Sequence, residues 1–89
     1  VSEVEVQVVN RLGLHARAAA RLVHLANRFE STITVSKGNS KVDGKSILGL
    51  LTLAASKGTR LKLTASGADE EDALRELAEL IGNRFGEDE

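Results

Sequence analysis

The chain contains no cysteine, proline, methionine, tryptophan or tyrosine, and phenylalanine occurs only at positions 29 and 85. Without cysteine there is no disulfide, no thiolate nucleophile and no cysteine-based zinc site. Two histidines alone do not build a metal centre, so no metal and no other cofactor is expected. Two aromatic rings are too few for base-stacking platforms. Charge of one sign is also missing: Lys+Arg 12 against Asp+Glu 13 gives a formal net charge of −1, which argues against a nucleic-acid binder and against a membrane-surface binder. No apolar run approaches the roughly 18 residues of a membrane span, and no basic-then-apolar signal segment is present. A cytoplasmic location without membrane insertion is the expectation. Nor is there a Ser/His/Asp set, a paired-carboxylate site or a nucleotide-binding glycine loop, which argues against an independent catalyst.

What is present suits one small globular domain over 1–89, with 42% hydrophobic residues and about 60–65% of the extended surface to bury. From Glu3 to Val9, valines at 4, 6 and 8 alternate with Glu3, Glu5 and Gln7, the period of a half-buried strand. Helical spacing then runs to about Arg28, with Ala19, Leu22, Val23, Ala26 and Phe29 on one stripe and Arg21, His24 and Arg28 off it. The small residues Ala18, Ala19 and Ala20 allow the first turn to approach the sheet. Thr32–Ser36 and Ser40–Asp43 read as strands joined by the Lys37-Gly38-Asn39 turn. A short apolar helix is expected from Ile47 to about Leu53, with Ser46 as its N-cap and Gly49 inside it. Arg60–Ser66 alternates again. Asp69 and Asp72 suggest a capping box opening the last helix, whose stripe is Leu74, Leu77, Ala78, Ile81 and Phe85. The tail Glu87-Asp88-Glu89 is expected to fray. The predicted class is α+β, an open-faced two-layer sandwich of order βαββαβα.

The rest of the chain is organised around Asn10–Ala20, N-R-L-G-L-H-A-R-A-A-A. Gly13 permits a turn, helical spacing begins after His15, and His15 therefore sits at the mouth of a helix. The first amides of a helix lack internal partners and carry roughly half a positive charge, so Ala16, Arg17 and Ala18 offer N–H groups to an anion, phosphate above all. Arg17 adds a full charge. The same field favours an uncharged ring with a free lone pair. A histidine so placed can accept a phosphoryl group, whereas a lone loop histidine is otherwise a solvated side chain. His24 lies nine positions on, roughly 13 Å along the helix, too far to share one phosphoryl group, and is assigned to the surface.

Gly13-Leu14-His15-Ala16-Arg17 resembles the active-site motif of the histidine-containing phosphocarrier (HPr) family of the bacterial sugar phosphotransferase system. Ser46 within K-S-I-L-G-L-L, the A-S-K-G-T run from Ala55 and the acidic start of the last helix also have counterparts there, so the resemblance covers nearly the whole chain. It implies a four-stranded antiparallel sheet, a monomer, and a carrier that is itself no enzyme. His15 would accept phosphate at Nδ1 from phosphorylated enzyme I and pass it to enzyme IIA, with Arg17 stabilising the phosphate. It also implies a partner surface at Ala16, Ala20, Ile47, Leu48 and Leu51, although Leu48 and Leu51 equally suit a core. Ser46 serves as a structural cap, and the resemblance adds regulatory phosphorylation there by an HPr kinase/phosphorylase. The family usually has proline where this chain has Ala18, which bears on donor specificity without removing a chemical group. A nitrogen-branch or mainly regulatory paralogue is the alternative, and a small α/β module binding a metabolite or RNA a distant one.

Overall fold

The computed structural model describes residues 1–89. Strand β1 spans Ser2–Gln7, helix α1 Ala16–Ala26, β2 Thr32–Lys37, β3 Ser40–Asp43, α2 Ile47–Thr52, β4 Arg60–Ser66 and α3 Glu70–Gly82, followed by a short 3-10 turn over Arg84–Gly86. All pairings are antiparallel and the sheet order is β1-β4-β2-β3. Register sets Val42 opposite Val35, Val35 opposite Leu63 and Leu63 opposite Val4, so one apolar row crosses all four strands. The expected α+β open-faced sandwich is the observed fold.

One core holds Ile33, Val35, Leu61, Leu63 and Ala65 of the sheet against Leu22, Val23, Leu74, Leu77 and Ile81 of the helices. Helix α3 lies over β1 and β4, and α1 packs against α3 and α2. Ala18 and Ala19 are fully buried where α1 makes its close approach, whereas Ala20 faces solvent. The opposite face of the sheet is polar, with exposed Glu5–Arg60 and Glu3–Lys62 pairs at 3.0 and 3.8 Å, each contributing about 0–1 kcal/mol.

Three details depart from the sequence reading. The first strand stops at Gln7 instead of Val9, because Val8 turns inward, donating to Thr59 O and accepting from Gly58 N. The capping box at Asp69 and Asp72 does not form. Asp69 instead reaches across to accept from the Glu30 and Ser31 amides at 2.9 and 3.0 Å and from the Ser31 hydroxyl, while Asp72 pairs with Arg75. The return bond to the start of the helix comes from Glu70, whose Oε1 accepts from Gly67 N. Lastly, α3 ends at Gly82, and Phe85 reaches the core through a left-handed turn with φ of 58°, 54° and 78° at Arg84, Phe85 and Gly86. Phe85 is nonetheless completely buried.

Candidate functional site

The loop after β1 is shaped by two constraints. Gly13 N donates to Asn10 O, closing a turn, and Leu14 N donates to Ala55 O at 2.8 Å. Gly13 has φ 70°, and a Cβ there would lie 2.5 Å from Ala55 O, so no other residue fits the crossing without moving the backbone. Leu14 is buried and anchors the loop. His15 follows as the N-cap of α1 in extended conformation, its carbonyl accepting from Ala19 N.

The His15 side chain is 25% exposed and its Nε2 lies 2.6 Å from Oε2 of Glu87. That oxygen is also 3.6 Å from Nε of Arg17, whose side chain is 64% exposed. No side chain caps the first turn of α1. The helix mouth expected to hold an anion thus has a carboxylate beside it. The tail expected to fray is docked: Glu87 is held at His15, Arg11 N donates to Glu89 O, and the Arg11 guanidinium pairs with the Glu89 carboxylate at 2.7 Å. Arg21 donates to Phe85 O. Complementary charge accounts for this, since Arg11, Arg17 and Arg21 line a groove of about 390 Å³ together with Glu87, Asp88 and Glu89.

Asn10 is the second residue that motif reading passed over. It is fully buried, and its amide donates to Gly13 O and to Glu87 Oε1, both at 2.8 Å. Its Oδ1 has no partner, a deficit of about 1–3 kcal/mol for a buried polar atom. Flipping the amide would set that oxygen against two acceptors, so the observed orientation is the better one. The Asn10 hydrogen bond is the foremost cause holding the Glu87 carboxyl below the usual carboxylate range. Partial burial opposes it, and His15 and Arg17 add to it.

The remaining sequence candidates fall into place around this loop. His24 is exposed on α1, as assigned. Ser46 caps α2, its Oγ accepting from Gly49 N at 3.1 Å. Leu48 is 77% exposed and Ile47 40%, so Leu48 is no core residue. Leu51 is partly buried against the core, and Leu50 is the fully buried leucine of that helix. Ala16 and Ala20 are exposed on α1. The helix begins at Ala16 with a buried alanine at position 18.

Residues 2–83 match the family model described as "PTS HPr component phosphorylation site". The chain is 49% identical over 84 residues to the phosphocarrier protein HPr of Neisseria meningitidis, covering 94% of each. It is likewise 49% identical over 87 residues to that of Pseudomonas aeruginosa, covering 97% of each. The crystal structure of HPr-C-His from Thermoanaerobacter tengcongensis superposes with a TM-score of 0.96 at 46% identity, each chain covered completely. Agreement of sequence and fold over so nearly the full length means that this chain belongs to the HPr phosphocarrier family of the phosphotransferase system.

Proposed function

We propose that His15 is the phosphoryl acceptor of a cytoplasmic carrier, taking the group from phosphorylated enzyme I and passing it to enzyme IIA in the sugar branch of the system. The lone pair of Nδ1 attacks phosphorus, a nitrogen–phosphorus bond forms, and the bond to the donor breaks with its electrons leaving on the donor. The observation that carries this reading is the carboxylate settled between His15 and Arg17. Two oxyanion-binding groups already converge there, and Nε2 is engaged while Nδ1 makes no hydrogen bond. The amides of Ala16, Arg17 and Ala18 and the exposed Arg17 side chain then neutralise the phosphate without enclosing it, which suits a carrier that must release as readily as it accepts.

Docking of successive partners on the monomer falls to Ala16, Ala20, Ile47, Leu48 and Leu51, and the exposure of Leu48 supports that role. Ser46 is the site for a regulatory kinase. Adding about two negative charges there leaves the cap's helix tolerant and repels acidic partners from the adjoining apolar face. Incubation with enzyme I and phosphoenolpyruvate should give an acid-labile, base-stable adduct on His15. His15→Ala should abolish it, and Arg17→Ala should slow it. Undiminished labelling of His15→Ala overturns the assignment.

A further inference from the structure

We infer that Lys37 is a positioning residue for phosphoryl transfer: its ammonium fixes the exit of helix α2, a segment that the docking face and the phosphorylation loop share. The inference rests on the reading of His15 as acceptor and of α2 as part of the docking face. Helix α2 has six residues, too few to hold its shape through its own hydrogen bonds, so its placement depends on outside supports. Ser46 caps its start, and Leu50 is buried beneath its middle. Gly49 lies so close to β3 that a Cβ there would come within 3.3 Å of the Val42 Cβ. The far end is held by charge. Lys37 Nζ donates to Leu53 O at 2.9 Å and lies 3.5 Å from Ala54 O, and a cation suits the partial negative charge on the last carbonyls of a helix.

Two further observations give this ammonium more to do than end a helix. Its two carbonyls flank the α-carbon of Ala54, whose φ of 51° is a left-handed conformation that a non-glycine residue keeps only under constraint. The Ala54 side chain is exposed, so packing of that side chain does not supply the constraint. The lysine that bridges the peptide units on either side does. The next carbonyl along, Ala55 O, accepts from Leu14 N at 2.8 Å, and it is the atom that a Cβ on Gly13 would strike first. His15 follows Leu14 directly. Leu53–Ala55 is thus a bracket with the exposed Ile47 and Leu48 of α2 on one side and the loop that carries His15 on the other. Lys37 reaches this bracket from the end of β2 and has no hydrogen bond to His15 or Arg17, so it acts on the transfer only through the bracket.

The test compares the full chain with three variants. Lys37→Met keeps the stem and removes the charge, Lys37→Arg restores a cationic donor, and Lys62→Met removes one charge from the outer face of the sheet. In Lys37→Met, hydrogen exchange of the Leu14 amide should quicken about ten-fold, as expected when a charge-assisted hydrogen bond is lost. The amides of the inner strand β4 should exchange as before, which separates a loosened bracket from a less stable fold. In labelling by enzyme I and phosphoenolpyruvate, the KM for the Lys37→Met carrier should rise about ten-fold, with kcat reduced by less than KM is raised. Lys37→Arg should restore both, and Lys62→Met should leave both unchanged. Unchanged Leu14 exchange or unchanged KM in Lys37→Met, no rescue by Lys37→Arg, or an equal rise in KM for Lys62→Met overturns the inference. An unmodified chain that takes no label at His15 defeats the proposed function instead, and Lys37 as the holder of the loop then stands or falls by the Leu14 exchange.

Discussion

Ala54, just past α2, has φ 51°, a conformation that suits glycine and costs an alanine about 1 kcal/mol. Its side chain is exposed and supports nothing. Ala54→Gly should therefore raise stability by up to about 1 kcal/mol, read from the urea midpoint, after the unfolded chain's added freedom is counted. Gly13→Ala should do the reverse and displace the loop, since its Cβ has no room beside Ala55 O. Three carboxylates also set a pH dependence. The Ser31 hydroxyl, before other contacts, lowers Asp69; the Ser2 hydroxyl lowers Glu70; and Asn10 lowers Glu87. A carboxyl whose folded value lies below its unfolded one stabilises the fold above the ordinary carboxylate range, and that contribution disappears as pH falls through the folded value. Urea midpoints should thus hold from neutrality to about pH 5 and decline below it, and Asp69→Asn should decline less steeply than the unmodified chain. Sequence reading singled out His15, Arg17 and Ser46 because each belongs to a local motif. Asp69 was misread for the same reason, since its partner at Ser31 is 38 positions away.

Secondary elements were legible wherever one face is buried. Val4, Val6, Leu61 and Leu63 alternate with polar neighbours and occupy strands, and Leu22, Val23, Leu74 and Leu77 mark the covering helices. Beyond the β2–β3 hairpin, which its tight turn disclosed, the strand neighbours were not legible, because alternation records which side faces inward and says nothing about what lies alongside. Helix α2 was the hardest case. Ile47, Leu48, Leu50 and Leu51 are all apolar, so periodicity within six residues cannot separate the face turned to the core from the face turned outward. The structure separates them and makes the difference measurable. Leu50→Ala should cost about 2–5 kcal/mol through the cavity it leaves. Leu48→Ala should change stability by less than about 0.5 kcal/mol while weakening association with enzyme I, measured by titration calorimetry.

Over the whole molecule, the informative departure is the C-terminal tail, whose Glu87 meets His15 across 72 positions of sequence. No local pattern encodes such a meeting; it depends on three arginines from the loop and α1 and on a left-handed turn held by the buried Phe85 and by the Arg21 bond to its carbonyl. The tail therefore has two separable duties. Ending the chain after Asn83 removes Phe85 from the core and should cost about 3–5 kcal/mol, visible in thermal unfolding. Ending it after Gly86 keeps that ring, so the fold should persist while the contact between the tail carboxylate and His15 is lost. The run of β1 separates the two chain ends in space: Val1 lies beside Glu70, while Glu89 lies beside Arg11. An affinity handle appended after Glu89 would emerge at the rim of the arginine-lined groove beside His15 and compete there for the arginines. One placed ahead of Val1 would begin roughly 20 Å away, the length of a six-residue strand, and leave the transfer chemistry undisturbed.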